Sequence, residues 1–310
     1  MRENNNQMNQ EYFSLSSEII AAQKNHAAIV ALESAVITHG LPRPINFELA
    51  RELENIVRLQ GGIPATIAVM HGKIKIGLSP IELEQLAFAD NSRKISPRDF
   101  GIALSKKLYG GTTVAGTILA ASQVGIEVFA TGGIGGVHRN SNFDISADLN
   151  IMGKTKIAVV CAGVKAILDL PATLEVLETF GVPVIGFQTD EFPAFYSSQS
   201  GLGVDFKANS IKEISSLIKA HWACGNSNSI LITVPPPKEF EIDYKKVEAA
   251  IKDALADAND RHIHGAATTP HLLQKMNELT NGKSLQANLA LLKNNAEIAT
   301  KIAIALIREE

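Results

Sequence analysis

Cysteine is nearly absent from this chain: only Cys161 and Cys224 occur in 310 residues. Two thiols make neither a disulfide framework nor a zinc-ligand cluster, and they suit a reducing compartment, so the cytoplasm is the expected location. Excess positive charge is absent too. A formal net charge of -3 sets up no field that would draw a phosphate backbone, and nucleic acid is not expected as a partner. No uncharged apolar run approaches the roughly 18 residues of a membrane span, and MRENNNQMNQEYF has no apolar core behind its basic start. Neither a signal peptide nor a membrane anchor is therefore expected.

What is present is a hydrophobic share of 45%, enough at this length for a sizeable core. Residues 1–12, rich in Asn and Gln at their start, read as a mobile tail, and 13–310 as a single domain without an internal repeat. The segments AAIVALES, ATIAVM, IEVFAT, KIAVVCA, VPVIGF and SILITV are short, rich in Val, Ile and Ala, and free of polar alternation. They predict strands buried on both faces. Between them, NFELARELENIVRLQGG carries Phe47, Ala50, Leu53, Ile56 and Val57 on one helical stripe and stops at a Gly pair. SPIELEQLAFA opens with a capping box, Ser79 and Glu82 around Pro80. Further helices are expected over TTVAGTILAASQVG, VKAILDLPATLEVLETFG, SIKEISSLIKAHWA, DYKKVEAAIKDALADA and SLQANLALLKNNAEIATKIAIALIREE, with VPPPKEF as a lid or turn. The alternation predicts an α/β fold of three layers, α/β/α, around a mostly parallel central sheet.

The stretch VFATGGIGGVHR follows one predicted strand. Counting a dinucleotide fingerprint from Gly133 puts its third glycine at His138, so the fingerprint fails, and no phosphate-binding loop ending in Gly-Lys-Ser/Thr occurs. A glycine loop remains whose amides could approach an anion, a phosphate monoester for instance, with Thr131, His138 and Arg139 as added donors. The same glycines equally suit a tight turn between closely packed backbones. YGGTTVAGT opens a helix at its Thr pair, where exposed amides favour anions.

Asp144 and Asp148 in NFDISADLN flank Ser146. On a helix they would share one face as hard oxygen ligands for a divalent cation, or else form an Asp cap before a solvated face. Lys165 in AGVKAILD falls in the first turn of the expected helix, just past a buried strand. A helix N-terminus and apolar surroundings there would lower its pKa towards a reactive amine, although most helical lysines are simply exposed. Glu33 ends AAIVALES, as either a proton donor of raised pKa or an ordinary loop acid.

Taken in order, VALESAVITHGLP, GGIPATIAVMHGKIKIGL, TTVAGT, TGGIGGVHR, FDISADL, AGVKAILD, GFQTDEFPAFY and TNGKSLQANLALLKNNA resemble the pseudouridine-5′-phosphate glycosidase, or indigoidine-synthase-A-like, family over nearly the whole chain. The resemblance implies reversible cleavage of pseudouridine 5′-phosphate to uracil and ribose 5-phosphate, a divalent metal, usually manganese (Mn2+), and a homotrimer. By motif it implies Glu33 as proton donor and Lys165 as nucleophile. It implies sugar-phosphate contacts at Lys94, Thr131 and His138, and further substrate contacts at Val114, Ser146, Ala147, Asp148 and Asn288. Asp144 is the implied metal ligand, acting largely through water. Ala35, Pro97, Cys161 and His271 depart from the family pattern, which usually has Thr, a basic residue, Ser and an aromatic there. No fused sugar-kinase domain is expected, so a separate kinase would supply the phosphorylated nucleoside.

The implied bond joins carbon to carbon, so no glycosidic heteroatom accepts a proton and a paired-carboxylate hydrolysis lacks a leaving group. A lysine Schiff base to the ring-opened sugar meets that difficulty. The rival readings are a Schiff-base lyase or aldolase on another phosphosugar, and a non-catalytic nucleotide-binding protein.

Overall fold

The computed structural model describes residues 11–139, 143–261, 263 and 268–308. The first ten residues of the expected tail lie outside the described residues, and the chain is already paired as a strand from Phe13. The strands, in chain order, are β1 (Phe13–Leu15), β2 (Ile29–Leu32), β3 (Ile63–Met70), β4 (Lys73–Ile76), β5 (Arg93–Ile95), β6 (Gly110–Thr112), β7 (Val128–Ala130), β8 (Val137–His138), β9 (Ala158–Cys161), β10 (Leu168–Asp169), β11 (Val184–Phe187), β12 (Phe206–Ala208) and β13 (Ile230–Thr233). The α-helices are α1 (Ser17–Lys24), α2 (Ile45–Leu59), α3 (Pro80–Phe88), α4 (Phe100–Ser105), α5 (Val114–Gln123), α6 (Ala147–Met152), α7 (Leu170–Thr179), α8 (Ile211–Ala223), α9 (Tyr244–Asp260), α10 (Thr268–Leu279) and α11 (Lys283–Arg308).

The main sheet runs β1-β4-β3-β2-β7-β9-β13-β11-β12, with β6 on β3 and β5 on β6. From β3 to β12 along this path every pairing is parallel, and only β4 and β6 meet β3 antiparallel. The six apolar segments are all strands of this sheet, and the expected mixed architecture is the one found. Strands β7, β9 and β13 are buried at every residue. Helix α11, flanked by α2 and α8, covers β2, β7 and β9, while α5 packs on β2 and β3 beside α6. Each fully buried Val, Ile or Leu of these strands contributes about 1.5–3 kcal/mol, so the register of the central strands is firmly held.

Local signals fared unevenly. The capping box of Ser79 and Glu82 starts α3, and the apolar stripe of α2 faces inward up to Gly61, whose φ of +89° ends it. The helix expected from Val164 begins only at Leu170, where Asp169 caps it and Pro171 occupies its first turn. The residues before it pair instead as β10 against β8. Within NFDISADLN the helix begins at Ala147, with Ser146 as its cap. VPPPKEF is a turn, containing a short 3-10 segment at Lys238–Phe240 between β13 and α9.

Candidate active site

Strands β2, β7 and β9 lie side by side and parallel, so their carboxyl ends open on one edge, where open α/β sheets place their ligands. The register pairs Leu32 with Ala130 and Ala130 with Val160. One residue further on, Glu33 therefore stands beside Thr131. The Thr131 hydroxyl donates to Glu33 Oε1 in a very short contact, and the Thr131 amide donates to Val160 O at 3.0 Å. From α11, the buried Asn295 donates to the Thr131 carbonyl at 2.9 Å. Glu33 is thus fixed from behind, with its carboxyl on the wall of a cavity of about 670 Å³.

The same cavity is lined by Lys94, Val114, His138, Asp144, Ser146, Ala147, Asp148, Lys165 and Asn288. The fold thereby brings together residues spread over more than 250 positions of the chain. Thr131 is the exception. It is buried behind Glu33 with its hydroxyl engaged there, so it supports the acid from outside the cavity lining.

Burial pushes the Glu33 carboxyl above its ordinary range, against the opposing pull of Lys165, the Thr131 hydrogen bond and Lys94, with Asp148 adding to the rise. Burial likewise lowers the Lys94 ammonium, helped by Lys165 and opposed by Glu33 and Asp148. Two acids and two amines therefore act on one another in a partly dry cavity, the usual setting for perturbed, functional groups. His39, which no sequence signal picked out, also lines the cavity and is lowered by burial and by Lys94.

Lys165 is not on a helix. Strand β9 ends at Cys161, Gly163 takes a φ of +87°, and Lys165 follows in a loop whose amide donates to Ile134 O at 3.1 Å. The helix terminus expected beside it is therefore not there, since α7 begins five residues later. Its neighbour Cys161 is buried, and burial pushes its thiol up to about 12, so the departure there leaves a small inert side chain.

The glycine loop has the close packing that a tight turn between backbones requires. Four of its amides are bonded inside the protein: Ile134 N to Gly163 O (3.1 Å), Gly135 N to Asp148 Oδ2 (2.7 Å), Val137 N to Thr173 Oγ1 (2.9 Å) and His138 N to Asp144 O (2.9 Å), while Gly132 and Gly133 line the cavity. A Cβ at Gly133 would lie 2.6 Å from the Phe195 ring, so close packing demands the glycine. Phe195 lines the cavity with a φ of +64°, a region an aromatic residue enters only at a cost of about 1–3 kcal/mol. Its amide bond to Ala162 O and the edge contact of its ring with Tyr196 hold it there. The segment GFQTDEFPAFY contained that signal, but nothing in it pointed to Phe195 in particular.

Asp144 and Asp148 do not share a helix face. Asp148 is buried in α6, and its two oxygens accept from Gly135 N and from Ala115 N (2.8 Å), the second residue of α5. It ties the glycine loop to the opening of α5 and presents Val114 to the cavity. Asp144 precedes the helix and is exposed at the cavity rim, 3.9 Å from His138 Nδ1. Among the described residues no three His, Cys, Asp or Glu side chains converge as metal ligands. A single rim carboxylate nevertheless fits a hydrated magnesium- or manganese-like ion, which keeps most of its waters and leans on the substrate for the rest.

Residues 18–305 match the family model described as indigoidine synthase A like protein. The chain is 52% identical to the pseudouridine-5′-phosphate glycosidase of Caldanaerobacter subterraneus subsp. tengcongensis over 297 residues, covering 95% of this chain and 97% of that protein. It is 49% identical to the enzyme of the same name from Geobacillus kaustophilus, covering 94% and 98%. Among solved structures it resembles an indigoidine synthase A-like protein from Thermotoga maritima (TM-score 0.86, 36% identity, 91% and 94% covered). It also resembles the prealnumycin C-glycosynthase AlnA in complex with ribulose 5-phosphate (TM-score 0.89, 38% identity, 96% and 97% covered). With the fold, the ordered motifs and the family model all in accord over almost its full length, the chain belongs to the indigoidine synthase A-like family.

Proposed function

We propose that this chain is a pseudouridine-5′-phosphate glycosidase that cleaves the C–C bond between ribose 5-phosphate and uracil, reversibly, through a Schiff base on Lys165. The observation that carries the reading is the convergence of a buried Glu33 of raised pKa with Lys165, Lys94 and Asp148 in one cavity. The relatives' shared name supports the substrate, and the C-glycosynthase with its pentose 5-phosphate supports the class of chemistry.

A protonated Glu33 delivers its proton to the ring oxygen as the bond from that oxygen to C1′ breaks and the furanose opens. The Lys165 amine adds to C1′ and gives up a proton to the Glu33 carboxylate, which passes it on to uracil C5. The nitrogen lone pair then forms the C=N bond while the C1′–C5 electrons pass into the uracil ring, which departs. Water hydrolyses the imine, releasing ribose 5-phosphate and restoring the amine. Lys94 and His138 hold the phosphate, and that remote binding positions the reacting carbon. Val114, the Ser146–Asp148 run and Asn288 contact the nucleoside. Asp144 would hold a hydrated Mn2+, which supplies a positive charge to orient the substrate's oxygens.

The test is incubation of the purified chain with pseudouridine 5′-phosphate and manganese, before and after chelation, with products separated by chromatography. Uracil and ribose 5-phosphate formed only with metal support the reading. No cleavage by a folded, metal-restored protein refutes it. We also propose a homotrimer, which native mass measurement checks as three times the chain mass.

A further inference from the structure

Arg139 closes the glycine stretch, yet its side chain does not line the cavity. Its Nε donates to Leu168 O at 3.0 Å and its Nη2 to Ala166 O at 3.1 Å. Its two terminal nitrogens also grip both carboxylate oxygens of Glu248, on α9, at 2.8 Å each. Both side chains are largely shielded, 23% and 32% exposed, so solvent screens the pair less than an ordinary surface bridge. The two carbonyls belong to the turn that carries Lys165: Ala166 follows it directly, and Leu168 N donates to Lys165 O at 3.0 Å. On its other side Lys165 N is held by Ile134 O, and Leu168 pairs with the cavity residue His138.

We infer that Arg139 and Glu248 are a positioning pair: the guanidinium, itself oriented by Glu248, clamps the Ala166 and Leu168 carbonyls and so sets the direction from which the Lys165 amine enters the cavity. The inference rests on the reading of Lys165 as the nucleophile. A planar fork with donors on three nitrogens meets four acceptors here, which a lysine ammonium on a flexible stem cannot reproduce. The clamp also links α9 to the nucleophile's loop. The middle of α10, which packs on α9, contributes Leu273 to the same cavity.

The experiment uses the full chain as Arg139→Lys and Glu248→Gln. With pseudouridine 5′-phosphate, Arg139→Lys should lower kcat about 10- to 100-fold with KM within about threefold of wild type, because a misaimed nucleophile slows its own step and not substrate capture. Glu248→Gln, which leaves the guanidinium its two carbonyls, should lower kcat by about 3- to 10-fold in the same pattern and is the milder change should the first variant not fold. In parallel, reductive 13C-methylation of the substrate-free protein, with the Lys165 resonance identified by its loss in Lys165→Arg, should show that resonance moving towards the exposed-lysine position in both variants. A kcat within about twofold of wild type, a loss confined to KM, or an unmoved Lys165 resonance overturns the inference. If the wild type cleaves no substrate, the proposed function fails while the resonance still decides whether Arg139 and Glu248 position Lys165.

Discussion

Replacing Glu33 with Gln removes one proton and almost nothing else. The side chains are isosteric, so no cavity opens, and the amide oxygen can still accept the Thr131 hydroxyl that now meets Glu33 Oε1. What disappears is the acid, and a positioned general acid is worth about 10²–10⁴ in rate, or roughly 3–5 kcal/mol of barrier. The variant's kcat should fall by that factor in a steady-state assay of uracil release. Stability should move the other way. Because burial raises the folded-state pKa of Glu33 above its unfolded value, its contribution is fully present below the unfolded pKa and is lost as pH rises through the folded one. The wild type should therefore lose stability over that rise where Glu33→Gln does not, and urea unfolding at a series of pH values should show the variant gaining on wild type towards alkaline pH. The wild-type kcat should also decline as pH climbs through the same ionisation, since only the protonated acid can donate. A variant that keeps kcat within tenfold of wild type, or two stability profiles that run parallel in pH, would refute the assignment.

Lys165→Arg should abolish borohydride capture of ribose 5-phosphate on the protein, read as a missing mass adduct, because a guanidinium forms no Schiff base under these conditions. Asp148→Ala strands the amides of Ala115 and Gly135, and at about 1–3 kcal/mol for each unsatisfied buried donor it should cost about 2–6 kcal/mol in denaturant unfolding. Gly133→Ala drives a methyl to 2.6 Å from the Phe195 ring; overpacking of that kind costs about 1–3 kcal/mol, visible as a lower Tm. In the native protein a thiol reagent should modify the exposed Cys224 and leave the buried Cys161 unreacted until denaturant is added.

Much of this protein is legible without coordinates. The six apolar segments announce buried strands because a strand covered on both faces has no polar side to show, and the Ser79 and Thr113 caps start helices where the residues say they should. Such signals act across a handful of neighbouring residues, so the sequence by itself determined the layer architecture and, through ordered motifs, the family. The site needed more, because it depends on which distant segments lie side by side. Register alone puts Thr131 behind Glu33, 98 positions away, and gives the acid a support that no local signal announces. Likewise, Asp148 reads locally as half of a metal pair until α5 and the glycine loop bring two amides to it. Lys165 reads as helical because its neighbours are good helix formers, and only the pairing of β8 with β10 overrides that preference and leaves it in a clamped loop. Propensity and capping are local energies of a few tenths to a couple of kcal/mol, whereas burial and pairing across the sheet are larger and are set by partners the local sequence does not contain.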